Sequence, residues 1–350
     1  MTASISDLLG STHALIQAPM AGAQDAQLAL AVSRAGGLGS LAAAMWSADQ
    51  LRQQLTLIGE EFGQLVNVNF MCHEPPPPDA ACEQAWRAVL APYCAECGID
   101  PLAPFATPVR APFSQVMCDV LAQYRPRVVS FHFGLPAADL LAQLRSWGAI
   151  VLSSATTLAE GLWLQERGVD AVIAQGLEAG GHRGMFLTHD VGTHRGTLPL
   201  VTELAQSLRV PVIAAGGISD AGGVAAAIAA GASAVQVGTA FLMCPQATTS
   251  AVHRAALQMR PAGATALTNL FTGRAARGVV NRLMRELGPV HNGAPRFPLA
   301  GNALAPLRQY AERQGRADFS PLWAGQNFAD CREVDAGDLS RELVQGLYGG

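Results

Sequence analysis

The sequence predicts an α/β chain folded as a TIM (β/α)8 barrel with a C-terminal, mainly helical accessory region. Three observations carry this expectation. Short apolar runs of strand length alternate with Ala/Leu-rich helical stretches, which is the pattern of parallel βα units. Eight such runs occur before residue 245. The last two, Val210-Pro-Val-Ile-Ala-Ala215 and Ala234-Val-Gln-Val237, both end in glycine turns, Gly216-Gly217 and Gly238-Thr239. Bare glycine backbone lets a ligand approach closely. In a barrel, the loops after strands 7 and 8 and a short helix N-terminus form a phosphate site. The two turns therefore point to a phosphorylated ligand, most simply a nucleotide cofactor. An open doubly wound sheet would not need its last two strands to converge on one phosphate.

Each element follows from the local pattern. Leu15-Ile-Gln-Ala18 is the first strand and ends in Pro19-Met20-Ala21-Gly22, before a helix from about Asp25 to Ala35. Gly39-Ser-Leu-Ala42 is a short second strand, followed by a helix around Asp49–Glu60. Leu65–Phe70 is the third strand, Val128–Phe133 the fourth, Ile150–Ser153 the fifth and Ala171–Gln175 the sixth. Ser219 and Asp220 are suited to cap the helix that runs to Gly231. Two stretches break the alternation. Residues 71–113, with Pro75 to Pro78 in a row, read as an excursion after the third strand, with a helix around Ala80–Leu90. Residues 245–350 read as an accessory region covering the barrel mouth, with helices at Ser250–Met259, Val279–Leu287 and Leu339–Leu347 and a loop-rich stretch at Gly288–Gly301. The barrel domain is thus expected at 1–244.

Composition narrows the function classes. The formal charge is −4 with no basic patch, which argues against nucleic acid as a partner. No run is long and charge-free enough to span a bilayer, and the N-terminus lacks the basic start and cleavage site of a signal peptide. The expectation is a cytoplasmic protein, monomer or homodimer. Lysine is absent, so all 23 basic residues are arginine and Schiff-base chemistry is excluded. The seven cysteines read as reduced thiols. The lone Cys94-Ala-Glu-Cys97 lacks the second pair a zinc site needs, and no metal is expected.

Polar residues at strand ends are the candidates for chemistry, because barrel active sites lie there. Asn69 and Gln175 offer both donor and acceptor and suit a heteroaromatic ring with mixed edges; the alternative is bonding to neighbouring loop backbone. His132 is the one ionisable residue of its strand and titrates near neutrality when free; the alternative is a structural histidine on a backbone carbonyl. His182, in the glycine-rich loop after the sixth strand, either lines the pocket or packs beside it. No Gly-x-Ser-x-Gly elbow supports a serine hydrolase, and no GxGxxG after the first strand supports a Rossmann site.

Six segments in register resemble one family. Gln17-Ala-Pro-Met-Ala-Gly22, Asn67-Val-Asn69-Phe, Ser130-Phe-His-Phe-Gly-Leu-Pro136, Gln175-Gly-Leu-Glu-Ala-Gly-Gly-His-Arg-Gly184, Ala215-Gly-Gly-Ile218 and Gln236-Val-Gly-Thr239 are similar to the nitronate monooxygenases, formerly 2-nitropropane dioxygenases, class I-like. The resemblance implies an FMN-dependent barrel that oxidises alkyl nitronates, and nitroalkanes, with O2 to a carbonyl compound and nitrite, through single-electron transfer to the flavin. It implies that His132 is catalytic, abstracting a proton from a neutral nitroalkane or orienting the nitronate. It implies FMN contacts at Met20, Ala21, Gly22, Asn69, Gln175, Gly180, Gly181, Gly216, Gly217, Gln236, Val237, Gly238 and Thr239, with His182 in the substrate pocket. The C-terminal stretch Phe297-Pro-Leu-Ala-Gly-Asn-Ala-Leu-Ala-Pro306 departs from the family pattern by lacking tyrosine and lysine, which alters the pocket lid. The alternatives are an FMN-dependent NAD(P)H reductase, enoyl-acyl-carrier-protein reductase-like or quinone reductase-like, and a non-redox barrel that binds a phosphorylated metabolite.

Overall fold

A computed structural model describes residues 4–100, 110–259 and 265–348. Its strands are β1 (Leu15–Gln17), β2 (Ser40–Ala42), β3 (Asn67–Met71), β4 (Val128–His132), β5 (Ile150–Ala155), β6 (Ala171–Gln175), β7 (Gly181–His182), β8 (Val212–Ala215), β9 (Ala234–Val237), β10 (Thr265–Thr268) and β11 (Ala276–Val279). Eight of them form one parallel sheet in the order β1-β9-β8-β6-β5-β4-β3-β2. The ends of that order meet. Ile16 bridges Leu38 in parallel, the Gln17 N–H donates to Leu38 O at 3.0 Å, and the Leu38 N–H donates to Leu15 O at 2.8 Å. The sheet is therefore a nearly closed barrel, and all eight expected barrel strands are present.

Strand alternation sorts side chains into two layers. Ile16, Val128, Leu152, Ile173, Ile213 and Ala234 point inward and pack with Ile5 and Leu9, whose short helix Ile5–Leu9 closes the N-terminal end. Leu15, Val68, Val129, Phe131, Val151, Val172 and Val235 point outward against the surrounding helices. The same parity carries Asn69, His132, Ser154, Gln175, Ala215 and Gln236 inward at the C-terminal ends of their strands, where they line one cavity. It carries Val237 outward, into the layer between barrel and helices.

The eighth helix position is filled from far along the chain. Ala336–Tyr348 packs on Ala26–Arg34, the helix after β1, and on Ala221–Ala229, the helix after β8. Residues 245–335 thus lie between the last barrel strand and the helix that completes the ring.

The two irregular stretches meet over the barrel mouth. Helix Ala80–Glu96 packs on helix Ala300–Arg313. Trp86, Leu90, Tyr93, Leu270, Phe271, Leu283, Leu304, Leu307 and Phe319 make a second apolar core, and Cys94 and Cys97 are buried in it. Burial raises both of these thiols above the usual cysteine range. Residues 101–109 of the expected excursion lie outside the described residues.

The accessory region also contains strands that the sequence pattern did not announce. β10 and β11 pair antiparallel, and β11 also pairs with β7, with Ala276 opposite His182 and Arg277 opposite Gly181. The helix expected at Val279–Leu287 begins only at Arg282. Val279 ends β11, and the Asn281 side chain caps the helix by accepting from the Met284 N–H at 3.2 Å. The helix Ala300–Arg313 starts inside the stretch read as loop-rich, and Pro306 sits within it.

The lid core rests heavily on Trp86, which is fully buried and donates through Nε1 to Ala300 O at 3.0 Å. Trp86→Ala is expected to destabilise the lid by about 3–5 kcal/mol. A lowered midpoint in urea, with the barrel transition retained, would show it; an unchanged midpoint would contradict this packing.

Candidate active site

One cavity of about 310 Å³ opens at the C-terminal ends of the barrel strands, between barrel and lid. It brings together Met20, Ala21 and Gly22 after β1, Asn69 on β3, His132 on β4, Gln175 on β6, Gly180, Gly181 and His182 at β7, Gly216 and Gly217 after β8, and Gln236, Gly238 and Thr239 at β9. Val237 is the exception: its side chain is buried in the outer layer and its carbonyl accepts from the Ala18 N–H at 2.7 Å.

The two glycine turns have the geometry of an anion cradle. Gly216 and Gly217 lie at φ 125° and 68°, conformations that side chains rarely adopt. A Cβ on Gly216 would come within 2.9 Å of Ala179 N, and one on Gly238 within 3.2 Å of the Ala18 Cβ. Thr239 opens a short 3-10 helix, Thr239–Met243, directly after the second turn. Beside this cradle, the Gln236 Oε1 is buried without a hydrogen-bond partner among the described residues. An orphaned buried acceptor in a cavity calls for a donor from outside the chain. A nucleotide-bearing heteroaromatic cofactor supplies both an anion for the cradle and N–H groups for such an amide, so these residues fit one.

Of the other two amides, Gln175 is engaged by the protein at both ends and Asn69 through its Nδ2. Asn69 Nδ2 donates to the backbone O and the Oγ of Ser130, at 3.2 and 3.0 Å. Gln175 Nε2 donates to His182 O at 2.8 Å, and its Oε1 accepts from the Gly184 N–H at 2.7 Å. Bonding to neighbouring loop backbone, the alternative raised from sequence, is seen for Gln175, whereas Asn69 bonds Ser130 on the adjacent strand β4; both line the cavity.

His132 sits between two partners. Its Nε2 lies 3.0 Å from His182 O and its Nδ1 lies 3.1 Å from Ser154 Oγ. Burial pulls the imidazole down from near 6.5 to about 4; Arg274 and Arg183 push the same way, while the bond to His182 O opposes them. His182 lies in the same cavity, its Nε2 2.9 Å from Thr272 Oγ1, and burial with Arg110 and His132 holds it well below the usual histidine range. The turn after His132 is strained: Phe133 has φ 71°, unusual for a bulky residue. The guanidinium of Arg274 lies 3.9 Å from the Phe133 ring centroid and bonds Met185 O, which clamps that turn.

The lid adds residues that sequence reading missed. Arg110, His253, Arg308, Glu312 and Trp323 line the cavity. Arg308 Nε and Ser320 Oγ both donate to Glu312 Oε1, each at 2.7 Å. Arg110 is lowered by burial and by Arg308, and no carboxylate among the described residues offsets this. Arg308 follows the stretch noted for its missing lysine by two residues, so a cation does reach the cavity from that segment. The signal for Ser154 was available in principle, since it lies next to the end of β5 with inward parity.

A barrel with an anion cradle and a buried imidazole in one cavity defines a cofactor-dependent barrel enzyme. A profile of the nitronate monooxygenase family matches residues 3–346. The chain is 42% identical to a nitronate monooxygenase of Pseudomonas aeruginosa, with both chains covered in full. It is 40% identical to a nitronate monooxygenase of Paraburkholderia phytofirmans, over 97% of this chain and 93% of the relative. The crystal structure of a nitroalkane oxidase from Streptomyces ansochromogenes superposes with a TM-score of 0.87 at 38% identity, covering 99% of this chain and 98% of that one. The chain belongs to the nitronate monooxygenase family. It is an oxidoreductase, and the membership implies a flavin cofactor.

The buried neutral histidines make stability depend on pH. His132, His194 and His253 are drawn down to about 4, first by burial, and burial also holds His182 well below the usual histidine range. Between their ordinary value of 6.5 and about 4, the unfolded chain takes up protons that the folded chain refuses, so stability falls as pH falls through that window. The melting temperature is expected to be flat above about pH 7 and to decline steadily from 6.5 towards 4. Scanning calorimetry across that range checks this; a flat profile down to pH 4.5 would rule it out.

Proposed function

We propose that this chain is an FMN-dependent enzyme that oxidises alkyl nitronates with O2 to a carbonyl compound and nitrite. The observation that carries the reading is that the glycine cradle, the orphaned Gln236 amide and His132 all line one cavity. The family membership favours it over the reductase and the non-redox alternatives.

The choice of FMN over a dinucleotide rests on what surrounds the cradle. Asn327 Nδ2 donates to Gly217 O at 2.6 Å, the Gly325 N–H donates to Thr239 Oγ1 at 2.9 Å, and Ser219 Oγ donates to Asp330 at 2.8 Å. This segment lies across the phosphate turns, where a second nucleotide would have to extend. The backbone N–H groups of Gly217, Gly238 and Thr239 would hold the phosphate, and Gln236 with Asn69 would meet the edge of the ring system. The flavin, when bound, supplies the electron acceptor and the reactivity with O2.

The remaining steps belong to the chain. Arg110 gives the lid a positive charge that draws in the anionic nitronate, while the charge of Arg308 beside it is met by Glu312. His132 has Nε2 engaged by His182 O and Nδ1 by Ser154 Oγ, and its affinity for protons is lowered by burial, so helping to orient the nitronate suits it better than abstracting a proton from a neutral nitroalkane. The lid excludes bulk water, which strengthens both effects. No disulfide joins the seven cysteines, in keeping with the reducing conditions of the cytoplasm. No helix of the described residues is long and apolar enough to cross a membrane.

The experiment is anaerobic mixing of the purified yellow protein with propionate 3-nitronate and, separately, with NADH, following the flavin absorbance. Bleaching by the nitronate, then nitrite release in air, is expected; bleaching by NADH alone would overturn the reading. His132→Ala is expected to retain the flavin and lose roughly 10–100-fold in kcat/KM for the nitronate, the worth of one hydrogen bond to a charged group. Unchanged turnover would remove His132 from the mechanism. Gly238→Val should purify without flavin, because its side chain would fill the cradle against Ala18; a full complement of bound flavin would contradict the phosphate assignment.

A further inference from the structure

The cavity has a second polar end, in the accessory region. His253, on the helix Ala251–Gln258, lines it, and its Nε2 is buried without a hydrogen-bond partner among the described residues. Burial, with Arg308 and Arg254 nearby, draws the ring down to about 4, so at neutral pH it is an uncharged imidazole. A nitrogen of a neutral imidazole either donates or accepts, and a buried one needs a partner in both cases. Arg308 and Ser320 line the same end, and both donate to Glu312 Oε1 at 2.7 Å. The charge of Arg308 is thereby met by a carboxylate, while its guanidinium has N–H donors beyond the one used.

This end is continuous with the barrel side of the cavity. Trp323 joins the two: its ring centroid lies 5.4 Å from that of His182, and its backbone bonds the His253 ring. Charge is divided along the way. Arg110, which no carboxylate among the described residues offsets, is the charged group that most depresses His182, so the uncompensated cation stands towards the barrel side. The compensated pair, Arg308 and Glu312, stands with His253.

We propose that His253, Arg308 and Glu312 form a distal subsite that recognises a neutral polar tail, a hydroxyl or a primary amide, on a nitronate whose charged end lies near Arg110. A hydroxyl or amide both donates and accepts, so it satisfies His253 Nε2 in either tautomer and also takes an N–H from Arg308. A carboxylate tail only accepts, and it would face Glu312. A plain alkyl tail leaves the buried nitrogen without a partner, and a site built to hydrogen-bond a substrate group discriminates against analogues that lack it. The identity of the reacting group rests on the proposed function; the choice of tail rests on these three side chains.

The test uses the flavin-loaded, full-length protein with three series of nitronates, from nitroalkanes, ω-nitro alcohols and ω-nitro carboxylates of three to six carbons. At one or more chain lengths the alcohol is expected to exceed both the alkane and the carboxylate about tenfold in kcat/KM, mainly through KM. His253→Leu should bring the alcohol-to-alkane ratio at that length close to one. Alcohols no better than alkanes at every length would overturn the proposal, and this holds even if the variant does not fold. A ratio retained in His253→Leu would also overturn it, as would a preference for the carboxylates. The same comparison is made by binding alone, titrating the un-ionised nitro compounds without O2 and following the flavin spectrum. If no nitronate is oxidised, the proposed function fails, and tighter binding of the alcohols, lost in His253→Leu, still decides the subsite.

Discussion

The wholly buried guanidinium of Arg183 is the interaction on which the rest of the site depends. It donates to Gly176 O and Gln175 O, each at 2.7 Å, and to His194 Nδ1 at 3.3 Å. A cation taken out of water is costly unless its donors are satisfied. Here two backbone carbonyls and an imidazole satisfy it, with Glu178 and Glu160 near enough to favour its charge, although burial still lowers it to about 10. These bonds fold the chain after β6 back on itself. Only in that fold does Gly181–His182 offer an edge to β11 and its carbonyl to His132 and Gln175. A relay extends the anchor outward: His194 meets Thr156 Oγ1 at 3.1 Å, Thr156 donates to Glu160 at 2.7 Å, and Glu160 accepts from the Phe186 N–H at 2.6 Å. Lid attachment and imidazole orientation are thus consequences of one buried side chain.

The barrel and its lid are not independent layers laid one on the other. The chain leaves the ring after β9, builds much of the lid, and returns as Ala336–Tyr348 to occupy the last helix position. The strap Gly325–Asn327 lies on the return path and is bonded to Thr239 and Gly217. A Cβ on Gly180 would come within 2.6 Å of the Gly325 N, so the loop after β6 and the strap pack backbone to backbone. The anion cradle is consequently closed by a segment whose two flanks are both fixed to the barrel. Its geometry is set by the fold as a whole rather than by a free loop.

The barrel was legible in the sequence because its signals are local. Apolar runs such as Val128–Phe133 and Ala171–Gln175 announce buried parallel strands, and the same parity that buries Val129 and Phe131 outward sends His132 inward. Glycine turns at 216–217 and 238 were legible for the same reason. Val237 was placed among the cofactor contacts by motif, whereas alternation from Gln236 turns it to the opposite face. The lid was less legible. β10 and β11 are four residues each and pair with one another, and β11 pairs in turn with a two-residue strand at Gly181–His182, a partnership across about a hundred positions that no window of sequence contains. Helix Ala300–Arg313 carries Gly301, Asn302 and Pro306, which as local signals argue for loop, and packing on Ala80–Glu96 overrides them. Arg110, Arg308 and Glu312 reach the cavity only through that packing.

The distribution of charge in the site follows from the chain having no lysine. Every fixed cation near the cavity is a guanidinium, which stays charged at any working pH even where burial lowers it, as at Arg274 and Arg183, both at about 10. The histidines among them are pressed in the opposite direction: burial and the neighbouring arginines both oppose a second proton on His132 and His182. The site therefore separates two tasks that one titratable group would otherwise share. Under the proposed function, the positive potential that attracts an anion would come from arginines that do not titrate, beside imidazoles that remain neutral. Such a site keeps the same charge across the neutral range, and any pH dependence of turnover there must arise from the substrate or the cofactor rather than from these side chains.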